Sequence, residues 1–221
     1  MPFGPEFSVH SYESRPDKVC DVVLSSFTSE EAGTVLPFAP DDPSLPYLGA
    51  YLPPILIEGP EAYSNDLVED KGTIVWGVFA DRRLAGFATL GISREAGTVG
   101  YSIVLGQHSR GRGIGLLATV GMIATAKRPG LLRRTNPDFP WFVQVIDTSI
   151  HPDNAASQIM CERASFEFKG FNMQSIPQGD FPWNRYELRP EEITHVDQKI
   201  PLELFIGGGI RYSVLFGEDL R

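Results

Sequence analysis

Cysteine is scarce in this chain of 221 residues. Cys20 and Cys161 are the only two, too few for a disulfide framework or a cysteine zinc site, so a reducing compartment is the simpler reading. The four histidines (His10, His108, His151, His195) are scattered, with no His-Glu-x-x-His or His-x-His spacing, and no metal site is readable. Long apolar runs are missing as well. The uncharged, apolar-looking run Gly113 to Ala126 falls short of the ~20 residues a bilayer span requires. The opening Met1-Pro2-Phe3-Gly4-Pro5-Glu6 has neither the basic start nor the apolar stretch of a secretory signal. A cytoplasmic protein without a membrane partner is expected. Basic charge is the last deficit: 19 Lys and Arg against 28 Asp and Glu leave a formal net charge of −9. Such a field repels phosphate backbones and attracts amines, so no nucleic-acid partner is expected.

What is present suffices for a core: 42% hydrophobic and 21% charged residues exclude disorder as the main state. The length fits one compact domain with appendages. We expect that domain over 1–189, with an extension over 190–221. Phe7 to Tyr12 alternates like a first strand, and Val19, Val22, Val23 and Phe27 fall at helical spacing, which predicts a short helix over Asp17 to Phe27. Pro37, Pro40, Pro43, Pro46, Pro53, Pro54 and Pro60 make 37–60 an extended loop, either a connector or a wall over a cleft.

From Thr73 the period becomes two. Thr73–Ala80, Leu84–Leu90 and Thr98–Leu105 are joined by short polar connections and predict an antiparallel meander. Leu116, Leu117, Val120, Ile123 and Ala124 then mark one face of a helix, which Pro129-Gly130 is expected to stop. Trp141–Ile150 reads as a strand reached across that helix and therefore parallel. Asn154–Ala164 reads as a second helix capped by Asp153 or Asn154, and Phe166–Gln174 with Trp183–Leu188 as a final strand pair. The apolar runs Ile200–Ile206 and Ile210–Phe216 around Gly207-Gly208-Gly209 suggest a hairpin that extends the core, with a homodimer contact as its second reading.

Between strand and helix stands Arg110-Gly111-Arg112-Gly113-Ile114-Gly115. Alternate glycines let backbone N–H groups converge, and the helix N-terminus adds partial positive charge, which together make a diphosphate cradle. A Walker A loop would need Gly-Lys-Ser/Thr, and a dinucleotide fingerprint starting at Gly111 would need glycine at Leu116; both fail. Read alone, the turn is explained equally well by tight loop-to-helix packing.

The segment resembles the acetyl-CoA loop of the GCN5-related N-acetyltransferase family, whose Gln/Arg-x-x-Gly-x-Gly/Ala pattern is met by Arg110, Gly113 and Gly115. Ile150-His151-Pro152-Asp153-Asn154, followed by Ser157, Glu162-Arg163 and Phe166, resembles the family's strand-to-helix segment, with Ser165 standing where the family has glycine. The resemblance spans roughly residues 73 to 188. It implies an α/β fold, an antiparallel meander plus a parallel strand–helix–strand unit in one mixed sheet with helices on both faces. It also implies direct transfer of an acetyl group from the cosubstrate acetyl-CoA to a primary amine of a small molecule or protein N-terminus.

The family's sites carry over to Arg110, Gly111, Arg112, Gly113, Ile114 and Gly115 for the pyrophosphate, and to Ile103, Val104 and Leu105, opposite Thr148 to Ile150, for the pantetheine. A backbone N–H near Leu105 would polarise the thioester, and Asn154 would touch the pantetheine. Where many members protonate the thiolate with tyrosine this chain has Cys161; the branch acting on ribosomal protein N-termini often has Asn-x-x-Ser, which Ser157 fits. Ser157 leads and Cys161 is second, each also readable as ordinary helix residues. Asp147, His151 and Glu95 are candidate bases, and Arg128, Arg133 and Arg134 either meet the 3′-phosphate or form a solvated helix end. The net charge suits a cationic amine as acceptor. The alternatives are a non-catalytic acyl-CoA-binding module of the same fold and a nucleotide-binding regulator.

Overall fold

The structure, a computed structural model, describes residues 3–12, 21–28, 31, 72–93, 95–176, 179–193, 195–196, 202–206 and 210–217. Its strands are β1 (Phe7–Ser11), β2 (Asp21–Ser25), β3 (Thr73–Ala80), β4 (Arg83–Ile92), β5 (Thr98–Leu105), β6 (Val145–Ile150), β7 (Glu167–Ile176), β8 (Gly179–Leu188), β9 (His195–Val196), β10 (Leu202–Ile206) and β11 (Ile210–Phe216). Its helices are α1 (Ile114–Ala126), α2 (Pro129–Thr135) and α3 (Ala155–Arg163). The strands form one sheet in the order β7-β8-β6-β5-β4-β3-β2-β1-β11-β10-β9. Every pairing between these strands is antiparallel except β5 with β6, so the meander and the parallel pair both stand as expected.

Two local expectations are corrected. The helix over Asp17 to Phe27 is replaced, in its described part, by β2, where Val22 and Leu24 are buried while Asp21 and Val23 are exposed. Three consecutive apolar residues satisfy either period, and pairing with β1 and β3 decides for the strand. α1 ends at Ala126, ahead of Pro129-Gly130 as expected, and that pair then opens α2, because proline suits a first turn whose N–H groups lack partners anyway. The strand expected from Trp141 starts at Val145; Trp141 is 75% exposed and lies under the Arg133 guanidinium at 3.8 Å.

The core collects Phe7, Val9, Val22, Leu24, Ile74, Trp76 and Leu90 from the sheet against α1, whose residues Leu117 to Ala126 are all buried. β10 and β11 pair as a hairpin, and β11 continues the sheet beside β1 with Phe7 opposite Phe216. The glycines between them, the loop 37–60 and Asp17–Cys20 lie outside the described residues.

One geometric fact orders the site. Tyr101 on β5 hydrogen-bonds Thr119 of α1 (2.5 Å), and Asn184 and Tyr186 on β8 donate to Gln158 of α3 (3.2 and 3.4 Å). Thr119 also lies 3.6 Å from Met160 Sδ, so α1 and α3 share one face. Side chains alternate across a strand, which turns Gly100, Ser102 and Val104 of β5, and Trp183, Arg185 and Glu187 of β8, to the opposite face. Among the described residues, α1 and α3 both pack on the first face.

Candidate active site

β5 and β6 pair only at Thr98↔Val145, Val99↔Ile146 and Gly100↔Asp147. Beyond these, β5 stays bonded to β4 as far as Leu105 and β6 to β8 as far as Ile150, and each is drawn away by its other neighbour as the sheet twists. The two strands part into a wedge.

Hydrogen-bond alternation fixes which groups line it. Gly106 donates its N–H to the Ala85 carbonyl (2.9 Å) and Ser93 donates to the Thr98 carbonyl (3.2 Å). Even-numbered residues of β5 therefore spend their main-chain groups on β4, and Ile103 and Leu105 turn theirs to the wedge. Val104 is corrected as a main-chain ligand: its carbonyl lies against Gly86 of β4. On β6, Val145 donates to the Gly97 carbonyl (3.2 Å), and the same alternation turns Ser149, between the expected Thr148 and Ile150, into the wedge.

The wedge opens beside the glycine loop. Arg110 Nε donates to the Leu105 carbonyl (2.9 Å) and ties the loop to the end of β5, while Arg112 pairs with Asp81 of the β3–β4 turn (2.6 Å). Gly113 is the N-cap of α1 at φ +85°, a left-handed conformation that disfavours a side chain. No side chain caps this end, no acid stands in the first turn, and the loop-to-helix bonding begins with Leu117 donating to Gly113 (3.2 Å). The amides of Ile114, Gly115 and Leu116 thus have no partner within the helix, and the helix dipole adds to their positive potential. Gly115 serves packing: a Cβ there would stand 3.0 Å from Met160 Sδ and 3.5 Å from Leu105 Cδ1.

α3 starts at the end of β6. Asn154 is its N-cap and accepts the Ser157 N–H on Oδ1 (3.1 Å), the capping geometry expected of asparagine. Ser157 is half-buried one turn into the helix. Cys161, one turn further, is corrected as a proton donor. It is fully buried, and burial pushes its thiol up to about 12, with the Glu162 charge adding, far above the ~8.5 of an ordinary thiol. It packs as a core residue.

On the opposite face, Asp147 stands where the strands separate, its Oδ1 3.7 Å from where a Cβ on Gly100 would be. Arg185 faces Glu187 Oε1 at 2.8 Å, Glu95 Oε2 at 3.6 Å and Asp147 Oδ2 at 4.0 Å. Burial holds the Asp147 carboxyl above the usual carboxylate range; Arg185 opposes this, and Glu187 and Glu95 reinforce it. Of the other candidate bases, the Glu95 side chain is 70% exposed. His151 accepts the Asp153 N–H on Nδ1 (3.2 Å), which occupies that nitrogen's lone pair. Arg128 stacks on Phe216 (4.4 Å) and Arg133 on Trp141, so neither is simply a solvated helix end. Among the described residues, no His, Cys, Asp and Glu group is arranged to hold a metal ion, and no helix is long and apolar enough to cross a membrane.

No protein-family model matches the chain, and no curated protein matches it. Solved structures do. RimJ of Mycobacterium smegmatis, in complex with CoA-disulfide, superposes with a TM-score of 0.59 at 12% identity, covering 86% of this chain and 91% of its own. MccE, the microcin self-immunity acetyltransferase, in complex with acetyl-CoA and AMP, gives 0.58 at 13%, covering 79% and 97%. RimL, a ribosomal alpha-N-protein acetyltransferase, gives 0.57 at 14%, covering 82% and 94%.

The fold is that of the GCN5-related N-acetyltransferases. In this fold the wedge, the open end of α1 and the cap of α3 all lie at the C-terminal ends of β5 and β6, where Ile103, Leu105, Gly111, Gly113, Asn154 and Ser157 stand. Sequence reasoning missed Trp183, Arg185 and Glu187. Their only signal was position on the last strand pair, and nothing local says that β8 returns beside β6.

Proposed function

We propose that this chain is an acetyl-CoA-dependent N-acetyltransferase acting on a primary amine, with a cationic acceptor. One observation carries the reading: the parallel pair opens directly before an uncapped helix N-terminus whose amides point at an anion's natural place. The complexes of RimJ with CoA-disulfide and of MccE with acetyl-CoA support it by likeness of fold.

The amides from Gly111 to Gly115 hold the diphosphate. The main-chain groups of Ile103, Leu105 and Ser149 bind the pantetheine as a strand would, with the side-chain amide of Asn154 beside it. An N–H of Ile103 or Leu105 donates to the thioester oxygen as negative charge grows there, a contribution of about 3 kcal/mol. Asp147 takes the proton of the ammonium through water, and its raised affinity for protons suits that task. The amine nitrogen bonds to the acetyl carbon, the carbon–sulfur bond breaks, and the second proton of that nitrogen passes by way of the Ser157 hydroxyl to the departing thiolate, which leaves as the free thiol. The net charge of −9 favours approach of a cation.

The non-catalytic acyl-CoA-binding module is the second reading, favoured by one observation: Cys161, where many members carry tyrosine, is a buried core thiol. Calorimetric titration with acetyl-CoA, run beside thiol release with a panel of amines, decides. Binding with release supports the transferase; tight binding without release on any amine supports the module; no binding refutes both.

A further inference from the structure

The chain has three tryptophans, and their indole N–H groups meet three fates. Trp76 donates to the Pro5 carbonyl (3.0 Å) and Trp141 is exposed to water. Trp183 is 7% exposed, and its Nε1 is buried without a hydrogen-bond partner. Native proteins rarely leave such a donor unpaired, and each exception asks for a reason.

The position supplies one. Asn184 pairs with Ile150, the last residue of β6. Carrying the Gly100↔Asp147 register forward sets Ile103 level with that same Ile150. Trp183, next along β8, thus stands at the open end of the wedge, one residue from the row where the amine must meet the thioester. Its side chain lies on the face that carries Asp147, Arg185 and Glu187. The His151 ring packs edge-on against the indole (5.6 Å between centroids, 83°), and His151 is itself held through Nδ1 by the Asp153 N–H. The indole ring is therefore held in place, with its N–H unpaired.

We propose that Trp183 is a specificity-determining residue that donates its indole N–H to a neutral carbonyl oxygen of the acceptor, making an α-amine of a peptide the preferred substrate class. An indole N–H only donates, so it selects an oxygen acceptor. The carboxylates of Asp147 and Glu187 on the same face disfavour a carboxylate ligand, which leaves the amide carbonyl beside an α-amine. A polyamine offers no such oxygen and leaves the donor as unpaired as it is in the free protein, whereas an amide carbonyl satisfies it, a difference that polar sites convert into discrimination. This rests on the transferase reading above.

The test uses Trp183→Phe, which keeps a ring against His151 and removes the donor, with trialanine amide and spermidine as probes. The kcat/KM ratio of trialanine amide over spermidine is expected to fall about ten-fold in the variant; an unaltered ratio overturns the proposal. A second readout needs no turnover. In an amide-correlation NMR spectrum, the indole resonance that vanishes in the variant belongs to Trp183, and trialanine amide should move it while spermidine leaves it in place. An indole resonance indifferent to trialanine amide, with CoA bound, overturns the proposal and leaves the transferase reading intact. Failure to bind CoA at all overturns the transferase reading, and the same titration without CoA still decides Trp183.

Discussion

Placing a carboxylate at Gly113 tests the diphosphate site most directly. The residue sits at φ +85° as the N-cap of α1, with no capping side chain and no acid nearby in the first turn. Alanine there bears the left-handed backbone, about 1–2 kcal/mol. Aspartate tolerates that conformation better, so its stability cost should not exceed alanine's. What aspartate adds is charge. At ~5 Å from a phosphate and an effective dielectric of about 20, Coulomb's law gives about 3 kcal/mol. Allowing for screening, Gly113→Asp should bind CoA roughly 30- to 150-fold more weakly than Gly113→Ala. Calorimetry measures both affinities, thermal melts check that both variants are folded, and pantetheine, which lacks the diphosphate, serves as the control ligand. Equal CoA affinities for the two variants, or an equal loss with pantetheine, would refute the idea that α1 receives the diphosphate.

The raised proton affinity of Asp147 makes three further outcomes checkable by pH. The acid limb of kcat/KM should lie above the ordinary carboxylate range, Asp147→Asn should flatten it while lowering the rate, and a limb left in place removes Asp147 as the base. Because its folded pKa is raised, Asp147 contributes stability present below its unfolded pKa and lost as pH rises through the folded one. Asp147→Asn should therefore stabilise the protein at neutral pH relative to acid, read as the pH dependence of Tm. Ser157→Ala should lower kcat about 10²-fold with CoA affinity nearly intact, and an unaltered rate removes Ser157 from the mechanism. Cys161→Ser buries a hydroxyl in the core and should cost about 1–3 kcal/mol in denaturant unfolding; an unshifted midpoint would show that the thiol is not packed as described.

Local patterns made the meander and the glycine loop readable. Thr73–Ala80 and Thr98–Leu105 alternate or run apolar between polar turns, and both strands keep the boundaries read from them. Asn154 announces a helix start by its chemistry, and the cap is present. Val22-Val23-Leu24 carries no period of its own, so its strand follows from neighbours far along the chain. Val104 looks like its neighbours in one dimension, and only the hydrogen-bond phase against β4 separates it from Ile103 and Leu105. The carboxylates around Arg185 come from the β4–β5 connection, β6 and β8, and their meeting depends on long-range register that no spacing encodes.

The pairing of β1 with β11 also bears on how the protein is made. Ser11 needs Tyr212 across from it and Phe7 needs Phe216, so during synthesis the first strand keeps one flank bare until residues 210–216 leave the ribosome. Joining β1 to β11 closes the longest loop among the strand pairings of the described sheet, well after the central strands can zip together. A nascent chain stalled before that point presents an open edge to its neighbours, and a chaperone that shields it would raise the yield of folded protein.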